Sequence, residues 1–245
     1  MRKTILALAL SAALPVVAHA AEAPKSPVTL TGNMTLASEY IFRGVAQTNH
    51  KPAVQAGLDL AHDSGLYLGV WSSNISWLSD AGQGSSGVET DIYGGYKGEV
   101  GGISYDVGVL QYYYPGTYVA GTNSPNTLEG YVGIGYKGVT LKYSHSATDL
   151  FGYTDSKNSG YIDLSGSYEV GGGVTVSAHV GHQKISGTNS DYSYTDYKIG
   201  VSKEFFGLNT ALAYSATNAK EALYTNAYGT DTGEGRVIFS VGKTF

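Results

Sequence analysis

The sequence predicts an all-β protein: a transmembrane antiparallel β-barrel of about 12 strands, with short periplasmic turns and long extracellular loops. Three observations support this fold class. Segments of roughly ten residues alternate apolar and polar side chains with a period of two, which is typical of strands with unlike faces. The connections between these segments are alternately short and long. The chain also ends on an aromatic residue, Phe245, on the more apolar face of its last segment.

The last segment, residues 236–245, shows why a membrane barrel is favoured over a soluble domain. Val237, Phe239 and Val241 share one face with Phe245. An exposed apolar strand face that ends on Phe would promote aggregation in a soluble protein. In a closed membrane barrel the last strand pairs with the first strand, and its apolar face contacts lipid.

Residues 1–20 have the pattern of a secretory signal peptide. Arg2 and Lys3 form a basic start, residues 5–17 are apolar, and the small-residue cleavage site ends at Ala20. We expect cleavage after Ala20, a short periplasmic leader over 21–27 and the barrel over 28–245. No later run approaches the roughly 20 apolar residues that a transmembrane helix needs.

The composition excludes several classes of function. Removal of Arg2 and Lys3 with the signal peptide leaves a net charge near −7, whereas nucleic-acid recognition relies on a basic surface. The absence of cysteine excludes disulfides, thiolate catalysis and zinc–thiolate sites. The 34 Gly and 21 Tyr far exceed ordinary usage. This composition suits strands between lipid and water, and it is also compatible with a secreted β-sandwich.

The alternation predicts twelve strands, most of them close to the roughly 9–11 residues that a tilted strand needs to cross a bilayer. The first carries Tyr40 and Phe42 on its apolar face, and the facing of the third is ambiguous because Tyr67 and Trp71 oppose its aliphatic residues. The predicted strands are 28–42, 52–61, 66–74, 88–97, 103–114, 127–137, 139–148, 160–169, 174–184, 195–203, 208–217 and 236–245.

The connections distinguish a membrane barrel from a soluble β-sandwich or a lipocalin-type barrel, neither of which has a reason to alternate long and short loops. The short connections lie near 63–65, 98–102, 138, 171–173 and 205–207. The long ones lie near 44–51, 76–87, 115–126, 149–159, 185–194 and 218–235. Both termini are therefore expected in the periplasm.

Charged residues fall on the faces opposite the apolar ones, with Lys243 as one exception close to the terminus. A Lys or Arg on the lipid face costs about 2–4 kcal/mol at the bilayer midplane, so the charged face must line the lumen. The pore-lining candidates are Glu39, Arg43, Asp59, Glu89, Asp91, Asp106, Glu129, Lys142, Asp163, Asp196, Lys198 and Arg236. Aromatic residues near strand ends predict interfacial girdles: Tyr40 with Phe42, residues 112–114, and Phe205 with Phe206.

Several segments resemble a known family. They are Ser38–Gly44 with Gln47 and Pro52–Gln55, Tyr67–Asn74, Glu89–Asp91, Asp106–Gly108, Tyr112–Gly116 and the terminal Phe245. Together they resemble the TorF family of porins (the Gcw_chp domain) over nearly the whole mature chain. The resemblance implies a proteobacterial outer-membrane location and a channel, and it brings no solute and no catalytic residues. Phe245 resembles the terminal aromatic residue that the barrel-assembly machinery recognises.

Other motifs have simpler explanations. Residues 133–138 match Gly-x-Gly-x-x-Gly, but a dinucleotide site needs a helix after the motif, and here another strand is predicted. His179 and His182 are three residues apart on a strand and point to opposite faces, which is poor geometry for a metal site. A Ser–His pair of a lipid hydrolase would have to form across strands, and no local signature marks one.

We therefore expect a passive diffusion channel for small hydrophilic solutes, without a cofactor and monomeric by default. Two alternatives are an outer-membrane lipid-acting hydrolase and a surface-binding barrel with a blocked lumen. The lumen charges could form an ion-pair network that plugs the pore, a solute path, or both, and a long loop could fold inward. Eight lumen acids against four bases predict a weak cation preference and disfavour acidic oligosaccharides. Lipid and lipopolysaccharide are the expected surroundings.

Overall fold

A computed structural model describes residues 26–245. The predicted signal peptide, its cleavage after Ala20 and most of the predicted leader lie outside the described residues. Within residues 26–245, no helix has the length and apolar character to span a bilayer.

The described chain forms a closed barrel of twelve antiparallel strands, as the sequence predicts. Each barrel strand pairs with its neighbours in the chain, and the first also pairs with the last. Two further short strands, β2 and β3, pair only with each other. The strands are β1 (Val28–Ala37), β2 (Ile41–Phe42), β3 (Val45–Ala46), β4 (Ala53–His62), β5 (Leu66–Asn74), β6 (Val88–Val100), β7 (Ile103–Tyr113), β8 (Thr127–Tyr136), β9 (Val139–Ser146), β10 (Gly160–Gly171), β11 (Val174–Lys184), β12 (Tyr194–Phe205), β13 (Leu208–Thr217) and β14 (Arg236–Thr244).

The barrel closes between β1 and β14. Their register runs from the pair Asn33–Thr244 to the pair Ala37–Ser240. Beyond the paired strands, the Phe245 amide donates to the Gly32 carbonyl at 2.8 Å, and the Gly32 amide donates to the Phe245 carbonyl at 3.2 Å. The predicted pairing of the last strand with the first is therefore confirmed, and Phe245 is part of the closure.

The two ends of the barrel differ. We call the end with the short connections the turn end and the other the loop end. At the turn end, Lys137-Gly138 and Phe206-Gly207 form two-residue turns in which both residues have positive φ. Such type I′ turns match the twist of the flanking strands and favour Gly at the second position. Lys137 and Phe206 adopt this conformation without being Gly.

At the loop end, the long connections contain short helices and pack against one another. The helices are α1 (Trp77–Asp80), a 3₁₀ segment (Gly187–Tyr192) and α2 (Glu221–Tyr224). Tyr192 packs against Tyr153 at 4.9 Å and against Tyr224 at 5.8 Å between ring centroids. Burial raises the pKa of Tyr153 to about 12. Asp191 accepts a 2.9 Å hydrogen bond from Lys220, which lowers the pKa of that carboxyl. The loops therefore form a packed layer.

The outer surface of the barrel is a belt of exposed apolar side chains. On β5, Leu66, Leu68 and Val70 are exposed, so Tyr67 and Trp71 point inward, which resolves the facing that the sequence left ambiguous. The same pattern recurs on the other strands, for example at Leu30, Met34, Leu58, Ile92, Val107, Ile134, Leu164, Ile199, Leu212 and Phe239.

The first strand differs most from its predicted bounds. It ends at Ala37 rather than at residue 42, because the chain turns into the barrel after Ser38. The Ser38 amide donates to the Phe239 carbonyl at 2.8 Å, and the Phe239 amide donates to Ser38 Oγ at 3.0 Å. These bonds hold Ser38, where the chain leaves the wall of the barrel, against β14. Tyr40 is consequently only 8% exposed and does not contact lipid.

The predicted aromatic girdles are correspondingly revised. Tyr112 and Tyr114 are buried, and both belong to the same apolar cluster as Tyr40, with Phe42 packed against it. The cluster lies inside the barrel because the alternate position, Tyr113, is exposed. Phe205 and Phe206, in contrast, are exposed at the turn end.

Candidate functional site: a charged lumen closed by a hairpin

Residues 38–51, which we call the lumen hairpin, fold into the loop end of the barrel. The short strands β2 and β3 form its two arms, and Arg43-Gly44 is its turn. Its base is closed by the Gln47 amide, which donates to the Tyr40 carbonyl at 2.8 Å. The Ala46 amide donates to the Thr232 carbonyl at 2.8 Å, so the hairpin is also bonded to the last loop. The segment predicted as a strand end and an extracellular loop therefore folds into the barrel.

The tip of the lumen hairpin crosses the barrel. Arg43 donates to both carboxylate oxygens of Glu129 on β8, at 3.0 and 2.7 Å, and to Gln183 Oε1 on β11 at 2.7 Å. In the order of strands around the barrel, β8 lies nearly opposite β1, from which the hairpin starts. The hairpin is thus tied to both sides of the wall.

The base of the hairpin carries a second ion pair. Arg236 Nη1 on β14 lies 3.3 Å from both carboxylate oxygens of Glu39, and Glu39 also accepts a 2.6 Å bond from the His50 amide. Arg236 Nη2 donates to the Asp231 carbonyl at 2.7 Å and lies 3.2 Å from Glu234. Glu39 and Arg43 both follow the end of β1 rather than lying on it, and each has a separate partner on the wall.

Aromatic rings pack the hairpin against the wall between these two ion pairs. Tyr40 meets Trp71 edge to face at 5.4 Å and donates its hydroxyl to Glu89 at 3.1 Å. Phe42 meets Tyr112 at 5.6 Å and Phe151 at 5.7 Å. The hairpin therefore has an apolar side as well as charged anchors.

Deeper in the barrel, one wall carries a chain of hydrogen bonds. Tyr161 donates to Asp196 at 3.0 Å, and His179 lies between Asp196 at 3.1 Å and Asp163 at 2.6 Å. Lys198 is the register neighbour of His179 on β12. The prediction that His179 and His182 point to opposite faces agrees with the contacts, because His182 bonds to Thr195 on an exposed row.

The opposite wall carries a comparable set of contacts between side chains. The Tyr67 hydroxyl donates to Asp106 at 2.6 Å and also contacts the Tyr131 hydroxyl, while Lys142 Nζ lies 3.9 Å from the centroid of the Tyr131 ring. Tyr93 similarly donates to Asp59 at 2.6 Å. These bonds join strands two or more apart, which requires all of these side chains to face the lumen.

Asp91 differs from the other acids. Its Oδ1 is buried and has no hydrogen-bond partner among the described residues. Asp106 lies on β7, the strand next to the one that carries Glu89 and Asp91, and the register places Tyr112 opposite Asp91 and Lys97 opposite Asp106. Within residues 26–245, no group of three or more His or acidic residues is arranged to hold a metal ion. Gly133 and Gly135 lie on β8, and β9 starts directly after Gly138, so no helix follows this motif.

Sequence reasoning missed the partners of the charges. Gln183, His179 and the inward tyrosines were not proposed as lumen residues, and neither was Lys97, whose ammonium lies 5.4 Å from the Tyr67 ring. A signal existed for the tyrosines. Residues 93, 131 and 161 occupy the same alternating positions as the inward charges of their own strands, whereas β5, which carries Tyr67, has no charged residue.

Comparisons with known proteins agree with this architecture. A family model described as "Bacterial protein of unknown function (Gcw_chp)" matches residues 21–245. No curated protein matches the sequence. The solved structure of the KdgM porin in complex with disordered oligogalacturonate superposes with a TM-score of 0.51 at 8% identity, covering 88% of this chain and 97% of that one. The NanC porin in a rhombohedral crystal form gives a TM-score of 0.50 at 10% identity, covering 88% and 98%. At these identities the likeness concerns the fold.

Proposed function

The chain belongs to the Gcw_chp family of bacterial proteins, and we propose that it is a porin-like channel of the Gram-negative outer membrane for passive diffusion of small hydrophilic solutes. The turn end and both chain ends would face the periplasm, and the packed loops would face the exterior. One observation carries the proposal: the barrel has an apolar outer belt and a lumen lined by charged and hydroxyl groups. A barrel that only anchored its loops would not need a polar interior of this kind.

The lumen hairpin makes the resting channel narrow. It is held by ion pairs, hydrogen bonds and a few ring contacts, and it is continuous with the wall only through its two ends. Hydrogen bonds of this kind contribute about 0.5–3 kcal/mol each, so a solute that replaces some of them offsets part of the cost of releasing the hairpin. We propose that displacement of the hairpin opens the path.

The charge of the lumen supports a weak cation preference. The eight predicted acids face the lumen together with five bases, since Lys97 joins the four bases identified in the sequence. Two of these bases, Arg43 and Arg236, are paired with acids at the loop end. The remaining acids outnumber the remaining bases, and acidic linings favour cations. The same excess disfavours acidic oligosaccharides as solutes.

Planar-bilayer recording tests the channel. Because Tyr40 and Gln47 are bonded at the base of the hairpin, residues 41–46 can be replaced by Gly-Gly without separating its ends. We expect small or rare openings from the native protein and larger, frequent openings from the trimmed variant. The matched control replaces residues 227–229 by Gly-Gly in an outer turn that is closed by the Asn226 amide and the Thr230 carbonyl at 2.9 Å. This control should behave like the native protein.

A folded, trimmed barrel without conductance would contradict the channel. That outcome would favour a second candidate, a surface-binding barrel with a permanently blocked lumen, which the packed loops and the lumen hairpin also fit. A lipid-acting hydrolase would instead show lipid turnover that disappears when a single Ser or His is replaced.

The remaining partners follow from this location. Lipid and lipopolysaccharide would surround the apolar belt, and Phe245 would serve the barrel-assembly machinery during insertion. Closure of the barrel leaves no unpaired strand edge, so a monomer is the default state.

A further inference from the structure

The wall residues around Arg43 form a site of their own, and we infer that it binds the guanidinium group of a cationic solute when the lumen hairpin moves away. In the closed barrel the chain's own Arg43 occupies this site. The inference rests on the proposed channel and names the class of solute: small molecules with a guanidinium group. The hairpin would then act as an internal competitor of the solute.

The hydrogen-bonding groups match a guanidinium in number and geometry. Glu129 accepts from both terminal nitrogens of Arg43, at 3.0 and 2.7 Å. Gln183 Oε1 accepts from Nη1 at 2.7 Å, and the Tyr112 hydroxyl lies 3.3 Å from Nη2. A two-pronged contact with a carboxylate suits the planar fork of a guanidinium, whereas an ammonium is a point charge with three rotating donors.

An aromatic ring completes the site. The guanidinium carbon lies 4.3 Å from the centroid of the Tyr161 ring, a distance at which the ring face attracts a cation. Phe42 provides a second ring at 4.9 Å, but it belongs to the hairpin and leaves with it. The wall alone therefore contributes a carboxylate, an amide oxygen, a hydroxyl and one ring.

The wall groups are held in place without Arg43. Gln183 Nε2 donates to the Gly160 carbonyl at 3.1 Å, which directs its Oε1 into the site, and the Tyr161 hydroxyl is fixed by Asp196. With the hairpin in place, Glu129, Tyr112, Gln183 and Tyr161 are all buried. The groups come from β7, β8, β10 and β11, so the barrel itself preserves their spacing.

After the hairpin moves away, the Glu129 carboxylate would attract a cation. The Glu129 carboxylate would lose its ion-pair partner, and the two-pronged contact with a second guanidinium would replace it. The backbone conformation of Arg43 also indicates that an arginine is present at this position for its side-chain contacts. It has φ of 45°, a conformation that favours Gly or Asn, so its contacts must offset the strain.

Tryptophan fluorescence of the folded protein in detergent tests the site. The two tryptophans of the sequence, Trp71 and Trp77, both lie beside the hairpin region, against Tyr40 and Tyr114. In Arg43→Ala we expect added methylguanidine to shift the emission and to saturate. Methylammonium at the same ionic strength should bind at least about tenfold more weakly, a difference of 1.4 kcal/mol. The native protein should not respond, because Arg43 fills the site.

Two further variants distinguish binding at this site from a nonspecific effect of the added cation on the fluorescence. Arg43→Ala combined with Glu129→Gln should lose the saturable response, whereas Arg43→Lys should keep a folded barrel and respond weakly because lysine fills the site only in part. Equal responses to methylguanidine and methylammonium would overturn the inference. So would a response that is unaffected by Glu129→Gln. Heat-modified mobility on gels verifies that each variant is folded.

This measurement does not depend on ion flow. Saturable methylguanidine binding without any conductance in a bilayer would contradict the channel and leave the site standing. Conductance without selective methylguanidine binding would contradict the site and leave the channel standing.

Discussion

At the tip of the lumen hairpin, two adjacent residues are constrained for opposite reasons. Arg43 adopts a strained backbone conformation because its side chain reaches the wall, whereas Gly44 is needed because no side chain fits. Gly44 has φ of 79°, and a β-carbon there would collide with Thr217 Cγ2 and lie 2.6 Å from Asp196 Cβ. The hairpin is therefore pressed against β12 and β13 at one point and bonded to β8 and β11 at another.

Gly44→Ala is expected to displace the hairpin from the wall and to raise the open probability in bilayer recordings. The left-handed backbone alone penalises alanine by about 1–2 kcal/mol. The matched control is Gly82→Ala, because Gly82 has φ of 66° but an added β-carbon there would meet nothing within 4 Å. Equal channel behaviour of the two variants would show that contact with the wall is unimportant.

Arg236→Met should destabilise the folded barrel by about 3–5 kcal/mol, because the buried Glu39 carboxylate loses its ion-pair partner and keeps only the bond from the His50 amide. The urea midpoint of unfolding in detergent or lipid measures the loss. Lys243→Met, on the exposed row of the same strand, should leave the midpoint nearly unchanged. A similar midpoint for both variants would indicate that the ion pair contributes nothing to stability.

At the scale of the strands, tyrosines and glycines face each other inside the barrel. Tyr93 covers Gly69, Tyr67 covers Gly95 and Tyr131 covers Gly108, each on a directly paired residue of the adjacent strand. Aromatic rings laid over glycines fill the space that the missing side chain leaves and fix the register. This pairing explains why the chain is rich in both tyrosine and glycine, which the composition alone does not explain.

Gly108→Ala should therefore destabilise the barrel by about 1–3 kcal/mol, the usual effect of overpacking. A β-carbon there would lie 2.5 Å from the Tyr131 hydroxyl and 2.6 Å from the Gly94 carbonyl oxygen. Gly130→Ala is the control on the neighbouring strand, since its β-carbon would meet nothing within 4 Å. Thermal unfolding followed by circular dichroism compares the two, and indistinguishable transitions would argue against the packing role.

The strands themselves were largely predictable from period and turn chemistry. β5, β11 and β13 have the bounds that alternation indicates, because polar turn residues stop the pattern on both sides. The first strand was overextended because Tyr40 and Phe42 continue its apolar alternation. Period alone does not distinguish an aromatic residue that meets lipid from one that packs inside the barrel, and only the bonds between Ser38 and Phe239 mark where the chain leaves the wall.

At the scale of the whole barrel, the inward position of the charges followed from alternation, but their partners did not. Arg43 and Glu129 are 86 residues apart, and Glu39 and Arg236 are 197 apart. Such contacts depend on which strands face each other across the lumen and on the inward course of the hairpin, neither of which a local pattern encodes. The sequence left open whether the charges plug the lumen or line a path, and the structure adds that two of the charges, Glu39 and Arg43, belong to an inward hairpin.

Cation preference is a property that we expect from the charges of the whole lumen. Replacing Asp59, Asp106 and Asp163 by Asn in the trimmed variant should move the reversal potential in a salt gradient towards zero or towards anion preference. Each of these acids accepts a bond from Tyr or His, and Asn can retain one acceptor oxygen. Asp63→Asn at an exposed turn is the control. An unchanged reversal potential in the triple variant would refute the assignment of selectivity to these groups.

The attachment of the lumen hairpin to the end of the chain has a consequence for biosynthesis. Its base is bonded to Phe239 and Arg236 on β14, and Glu39 precedes Arg236 by 197 residues. Ser38 and Glu39 can therefore form these bonds only after β14 has been synthesised. Until β14 joins the barrel, the hairpin has only its contacts with the earlier strands and loops, so its complete attachment requires a closed barrel.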